Sequence, residues 1–332
     1  MRREAKQSGS DLRWLTAGTA AWAAAAVTIA MLTGPGEAVA QGLTFNKGQS
    51  ISPAYEGWEK NEDGTFDLLF GYMNRNWEEE LDIPVGPDNH FSPGVADQGQ
   101  PTHFLPRRNR FTFKVRVPAD FGEEELVWTL KSGGEEHKAY GSLRPDYFID
   151  DVVVMSETGT LGAGTSSPEL RAHTAPTVTL ETPTVVEARV GEAVQLVAHV
   201  TDDGLPRSRQ GALPITEEGE LDMERAVQMI PSRITVDKAT GLHMTWFVYR
   251  GPEGANSQQA VAFNPPQIRP WEDTRPYSNS PWAPFWSPPE PPEDGRWITE
   301  VRFQQPGTYV LRGRADDGGL FTDNDVTIHV RP

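Results

Sequence analysis

Two copies of the tripeptide Asp-Asp-Gly close alternating apolar segments: Asp202-Asp203-Gly204 follows VQLVAHVT, and Asp316-Asp317-Gly318 follows YVLRGRA. Clustered carboxylates are the ligands of hard cations, and Asp323 and Asp325 stand close behind the second copy. Asp and Gly also favour turns on their own. Two readings are therefore open, a pair of turns or a weak Ca²⁺ site built on Asp202, Asp203, Asp316 and Asp317 with help from Asp323 or Asp325. A second group, Arg107, Arg108 and Arg110, is the one dense basic cluster in an acidic chain. It would pair with local carboxylates such as Glu78 to Glu80, or hold an anionic ligand or polymer. A third group is aromatic: Trp271, Tyr277, Trp282, Phe285 and Trp286 lie among prolines. Proline stiffens a loop, so these rings either cap a sheet or form a platform for stacking on sugars or a proline-rich partner.

Other chemistry is poorly represented. No HExxH, GxSxG, phosphate-loop or dinucleotide-binding pattern occurs, and the seven histidines recur at no fixed spacing. His90 and His103 share a loop-like stretch, 84–108, without a neighbouring ligand at metal spacing. With no cysteine, disulfides, thiolate nucleophiles and zinc–thiolate sites are excluded. No carboxylate pair is singled out for glycoside hydrolysis. The expectation is a non-enzyme, with a hydrolase as third choice.

The elements that must position these residues are short strands. From Tyr309 the residues Tyr309, Leu311, Gly313 and Ala315 alternate with Val310, Arg312 and Arg314, predicting a strand with one buried and one wet face. Val326, Ile328 and Val330 form its hairpin partner, and Trp297, Thr299, Val301 and Phe303 a third strand. Upstream, Asp63-Gly64 suits a hairpin turn between strands at Tyr55–Trp58 and Thr65–Met73. RFTFKVRV places Phe111, Phe113, Val115 and Val117 on one face, and Phe148–Met155 reads as a further strand. With 31 Gly and 28 Pro, the pattern is all-β: two immunoglobulin-like sandwich domains, 43–155 and 176–332, joined by a Gly/Ser/Thr-rich linker at 156–175. The second carries long insertions at 205–242, with a short helix over Leu221–Ile230, and at 251–295.

VGEAVQLVAHVTDDG, the strand around Trp246, and PGTYVLRGRADDG with the final alternating strand resemble the bacterial extracellular immunoglobulin-like and polycystic-kidney-type (PKD-like) modules. The resemblance implies that Val194–Val200 is strand B, that Trp246 is the core tryptophan of strand C, and that Tyr309 opens strand F at a tyrosine corner. Ala198 and Leu311 would replace the absent disulfide. It further implies that strands B and F end at one pole, so that the two Asp-Asp-Gly turns converge there.

Basic residues Arg2, Arg3, Lys6 and Arg13 precede an apolar run, Leu15–Leu32, and Ala38-Val39-Ala40 supplies a small-residue cleavage site. Residues 1–40 thus read as a signal peptide, an uncleaved anchor being the alternative. The protein is expected outside the inner membrane: periplasmic, cell-surface or secreted, with no membrane span after cleavage. Net charge is −17, which argues against nucleic acid as a partner. An extracellular or envelope protein, or a polysaccharide, is the expected partner. The function read from sequence is a non-catalytic binding or structural module, the alternative being a carbohydrate-binding adhesin or accessory module. Mass spectrometry of exported protein should find Gln41, within a residue or two, at the mature N-terminus; an intact Met1 species held in the membrane would overturn the signal-peptide reading.

Overall fold

The computed structural model describes residues 46–157, 167–207, 222, 224–225, 240–267 and 288–332. Phe45 to Pro332 form one compact unit, and the regular structure of its described residues is mostly strand. The first eight are β1 (Ile51–Lys60), β2 (Phe66–Asn74), β3 (Leu81–Asp82), β4 (Asn89–Ser92), β5 (His103–Phe104), β6 (Arg107–Val117), β7 (Leu126–Ser132) and β8 (Glu135–Gly141). They form the sheets β1-β2-β6 and β4-β7-β8, with a two-stranded ribbon β3-β5. The turn between β1 and β2 forms because the Asp63 carboxylate accepts from the Thr65 N–H and hydroxyl. Between the sheets lies an aromatic core. Phe91 stacks on Trp128 at 5.8 Å, Phe113 meets Trp128 edge-on at 5.0 Å, and the Trp128 indole donates to Asn89 Oδ1 at 2.9 Å.

The second eight are β9 (Thr177–Leu180), β10 (Val185–Arg189), β11 (Ala193–Thr201), β12 (His243–Arg250), β13 (Val261–Asn264), β14 (Arg296–Phe303), β15 (Gly307–Asp316) and β16 (Phe321–Arg331). Their sheets run β10-β16-β15-β12 and β13-β14-β11-β9. Strand β10 is parallel to the last strand, and the other pairs are antiparallel. That order, with β11, β14 and β13 in one sheet and β12, β15 and β16 in the other, is the immunoglobulin-like Greek key. Trp246 is 1% and Tyr309 0% exposed, Ala198 and Leu311 are fully buried, and the Tyr309 hydroxyl donates to Gln305 O at 3.1 Å, a tyrosine corner.

Four local expectations fail for identifiable reasons. The face of β15 expected to be wet is covered: Val310 packs on the N-terminal core, Arg312 lies over the Tyr249 ring, and Arg314 is 1% exposed. Phe111 leaves the face of Phe113, Val115 and Val117 for a separate cluster with Leu69 and Ile149. The β2/β6 register shifts at Phe70/Tyr72, and Phe111 itself has φ 48°. Asp151–Glu157 is a helix rather than part of a strand, because the Asp150 carboxylate caps the Val153 N–H. Its apolar residues divide between two clusters, Val153 and Val154 on Leu69 and Phe111, and Met155 on Leu320. Within the stretch read as an insertion, Val261–Asn264 is a strand paired with β14. The expected helix at Leu221–Ile230 falls almost wholly outside the described residues.

Strand β12 is buried on both faces. Met244, Trp246 and Val248 enter the C-terminal core, while Phe247 and Tyr249 enter the N-terminal one. Replacing Trp246 with Ala should therefore cost about 3–5 kcal/mol in denaturant unfolding and leave a single transition. A loss below about 1 kcal/mol, or two separated transitions, would contradict this packing.

Candidate functional site

The two Asp-Asp-Gly turns lie at the ends of β11 and β15, and one side chain joins them. His173 Nδ1 is 3.2 Å from Asp203 Oδ1, and its Nε2 is 3.3 Å from Asp317 Oδ2, an ionic contact too poorly aligned for a good hydrogen bond. Each aspartate also shapes its own turn. Asp202 accepts from Gly204 N–H, Asp203 from Leu205 N–H, Asp316 from Gly318 N–H, and Asp317 from the N–H groups of Gly319 and Leu320. Burial pushes the Asp317 carboxyl up to about 6, with His173 opposing. It raises Asp202 as well, where Gly204 N–H opposes and the Asp203 charge adds. Burial disfavours the His173 cation, but Asp317 and Asp203 outweigh it and hold the imidazole above its ordinary value.

The neutralising group at this pole is thus an imidazole from the stretch read as a linker. Asp323 and Asp325 are engaged along the β15/β16 hairpin, Asp323 with Arg314 at 2.8 Å and Asp325 with Arg312 at 2.7 Å. Among the described residues no group of three or more His, Asp or Glu side chains is arranged to hold a metal ion. A cation bound between Asp203 and Asp317 would have to take the place of the imidazole.

The basic cluster has found different partners from those expected. Arg108 pairs with Glu56 at 2.7 Å, Arg110 with Glu157, and Arg107 lies 3.9 Å over the Trp77 ring while donating to Arg75 O. Glu79 and Glu80, nearer in sequence, serve Gly48 N–H and His103 instead. Trp271, Tyr277, Trp282, Phe285 and Trp286 lie outside the described residues.

The polar centre that sequence reasoning missed is at the seam between the sandwiches. Glu80 and the β3 residue Asp82 are two apart and so share a face, and Asp82 pairs across the ribbon with His103. The buried imidazole contacts Glu80 Oε2 at 2.9 Å and Asp82 Oδ1 at 3.0 Å. Burial alone would lower its pKa; the two carboxylates outweigh this and raise it to about 9. Asp82 is held below the usual range, since His103 and Ser257 overcome its own burial. Ser257, from the other sandwich, donates to Asp82 through both N–H and Oγ at 2.8 Å.

Around this clamp Thr102 N–H donates to Tyr249 O, Gly251 N–H to Thr102 Oγ1, and Arg250 forms a bidentate pair with Asp97. Glu80, His103, Ser257 and Trp246 line an open cleft of about 360 Å³. A serine nucleophile needs its hydroxyl on the imidazole. Here the hydroxyl donates to the carboxylate, so the order Ser257–Asp82–His103 is that of a clamp. The E-x-D spacing at Glu80 and Asp82 was the available signal in the sequence; nothing there marked His173.

The fold is that of an all-β protein whose C-terminal sheets form an immunoglobulin-like sandwich. No family model matches the chain, and no curated protein matches it. Among solved structures it is similar to the adhesin InvE of Yersinia pseudotuberculosis, at 10% identity over 84% of this chain and 58% of that one, TM-score 0.21. It is also similar to fibronectin(III)-like modules of CbhA from Clostridium thermocellum, at 10% identity over 85% and 94%, TM-score 0.20. Domains 4 and 5 of the S-layer protein SbsC match at 8% identity over 86% and 98%, TM-score 0.22. Among the described residues no helix is long and apolar enough to cross a membrane.

The clamp predicts a pH dependence. A histidine whose folded pKa is raised stabilises fully below its unfolded value of about 6.5 and loses that contribution as pH passes about 9. Stability should therefore fall by about 3 kcal/mol between pH 6.5 and 9 relative to His103→Gln. The difference between the two proteins cancels His173, and parallel stability curves would refute the ionic clamp.

Proposed function

We propose that this chain is an exported, non-catalytic module that works as a structural or binding element of the cell envelope or extracellular space. One observation carries the reading: the side chains best suited to chemistry are engaged in holding the two sandwiches together. His103 lies between Glu80 and Asp82, Ser257 is bound to Asp82, and Arg250 to Asp97. Arg312 binds Asp325 and reaches Thr112 O across the seam. Among these contacts the one serine hydroxyl, that of Ser257, donates to a carboxylate and not to an imidazole, which is not the pairing that activates a serine nucleophile. Export is supported by the charged-then-apolar leader at residues 1–40 and its small-residue cleavage site.

Two measurements test this. Fractionation of cells expressing the full chain should recover it from the envelope or the medium, and recovery from the cytoplasm would overturn export. Polysaccharide and protein substrates incubated with the purified chain should release reducing ends and amines at the blank rate. Turnover that vanishes in His103→Gln would establish an enzyme instead.

A further inference from the structure

We propose that the exposed aromatic surface of Tyr147, Phe148 and Trp58 docks a basic segment of a partner protein, held through arginine; this rests on the reading of the chain as a binding module. The turn Pro145–Tyr147 is pressed onto β1. Ile149 N–H donates to Trp58 O at 3.0 Å, and the Trp58 indole N–H donates to Arg144 O at 2.8 Å. At Gly57, φ 142°, any side chain would collide with the Tyr147 carbonyl and Ile149. The rings are fixed as a result: Trp58 and Phe148 lie 5.1 Å apart, Tyr55 and Tyr147 5.3 Å, and Trp58 and Phe66 5.5 Å. Yet Tyr147 is 43% and Phe148 49% exposed, with Val152 also exposed in the same stretch. Held aromatics left open to water mark an interaction surface.

The rim indicates what covers it. Asp146, Asp150 and Asp151 are exposed in this stretch against one exposed cation, Arg144; Asp150 caps the following helix, and among the described residues none of the three aspartates is in an ion pair. Within the molecule, an aromatic face joined to a carboxylate is the arrangement that receives arginine. Arg312 lies 3.6 Å over Tyr249 and pairs with Asp325, and Arg314 lies 3.8 Å over Phe321 and pairs with Asp323. Tyr147 and Phe148 with their neighbouring aspartates offer the same two groups to solvent. A net charge of −17 attracts a basic partner and repels both a second copy and an anionic polymer.

The probe is an acetylated, amidated hexapeptide of alternating Arg and Ser, titrated into the full chain at fixed ionic strength while the Trp58 indole Nε1–H is followed by NMR. The same titration is run with the Lys version, chitohexaose and cellohexaose. Saturable movement of Trp58 with the arginine peptide, weaker with lysine, is expected. Affinity should fall roughly three- to tenfold in Tyr147→Ala/Phe148→Ala and in Asp146→Asn/Asp151→Asn. Because the two aspartates are exposed, the Asn pair decides the matter if the Ala pair fails to fold. An unmoved Trp58, or an affinity equal to wild type in the Asn pair, overturns the proposal. Movement by a hexasaccharide and not by the peptide overturns it in favour of a sugar platform. Catalytic turnover or cytoplasmic recovery would remove the module reading and leave this titration standing, so the two failures are distinguishable.

Discussion

Strand β12 sends Met244, Trp246 and Val248 into one core and Phe247 and Tyr249 into the other, and the coupling of the two sandwiches follows from that alternation. A strand with a solvent side reads as apolar and polar in turn, whereas one enclosed on both faces reads as a continuous apolar run; WFVY, Trp246 to Tyr249, is such a run. Separating the sandwiches would expose Phe247 and Tyr249 to water and break the contacts that Thr102, Gly251 and Arg250 make beside them. Neither half can therefore be treated as an independent bead on a string.

The seam is polar around this apolar centre, and that polarity has a cost that must be met locally. A buried polar group without a partner costs about 1–3 kcal/mol or more, and several here find one across the junction: Asp82 is met by Ser257 in addition to its ribbon partner His103, and Thr112 O by Arg312, while the more exposed Asp97 pairs with Arg250. The same logic holds at the far pole, where His173 lies between Asp203 and Asp317. Among the described residues the interior carboxylates are answered partly by cations, as at Asp82, and partly by backbone N–H groups of their own turns, as at Asp202 and Asp316.

Period-two alternation in the sequence was enough to read β14, β15 and β16 and the buried side of Tyr309, whereas the core position of Trp246 came from the resemblance to immunoglobulin-like modules. Alternation tells which residues share a face but not what that face meets. Val310, Arg312 and Arg314 look like a solvent face in the sequence and meet a second sandwich in the structure. Phe111 left its expected face because alternation assumes an unbroken register, and β6 breaks it. The convergence of the Asp-Asp-Gly turns followed from topology; the imidazole between them, more than twenty residues upstream of the first turn, did not. His103 was not legible alone, since it meets Glu80 and Asp82 only through the pairing of β3 with β5, some twenty residues apart in the sequence.

Arg312 and Arg314 also have a consequence for β6, the outermost strand of its sheet. An open edge is a row of donors and acceptors on which a foreign chain can template a further strand. Here Arg312 donates to Thr112 O at 2.6 Å and Arg314 to Phe111 O at 3.5 Å, so guanidinium groups occupy acceptors that an incoming backbone would need. The hand-over from one sandwich to the next is thereby also a stopper, ending the sheet with side chains that cannot themselves be extended by another strand.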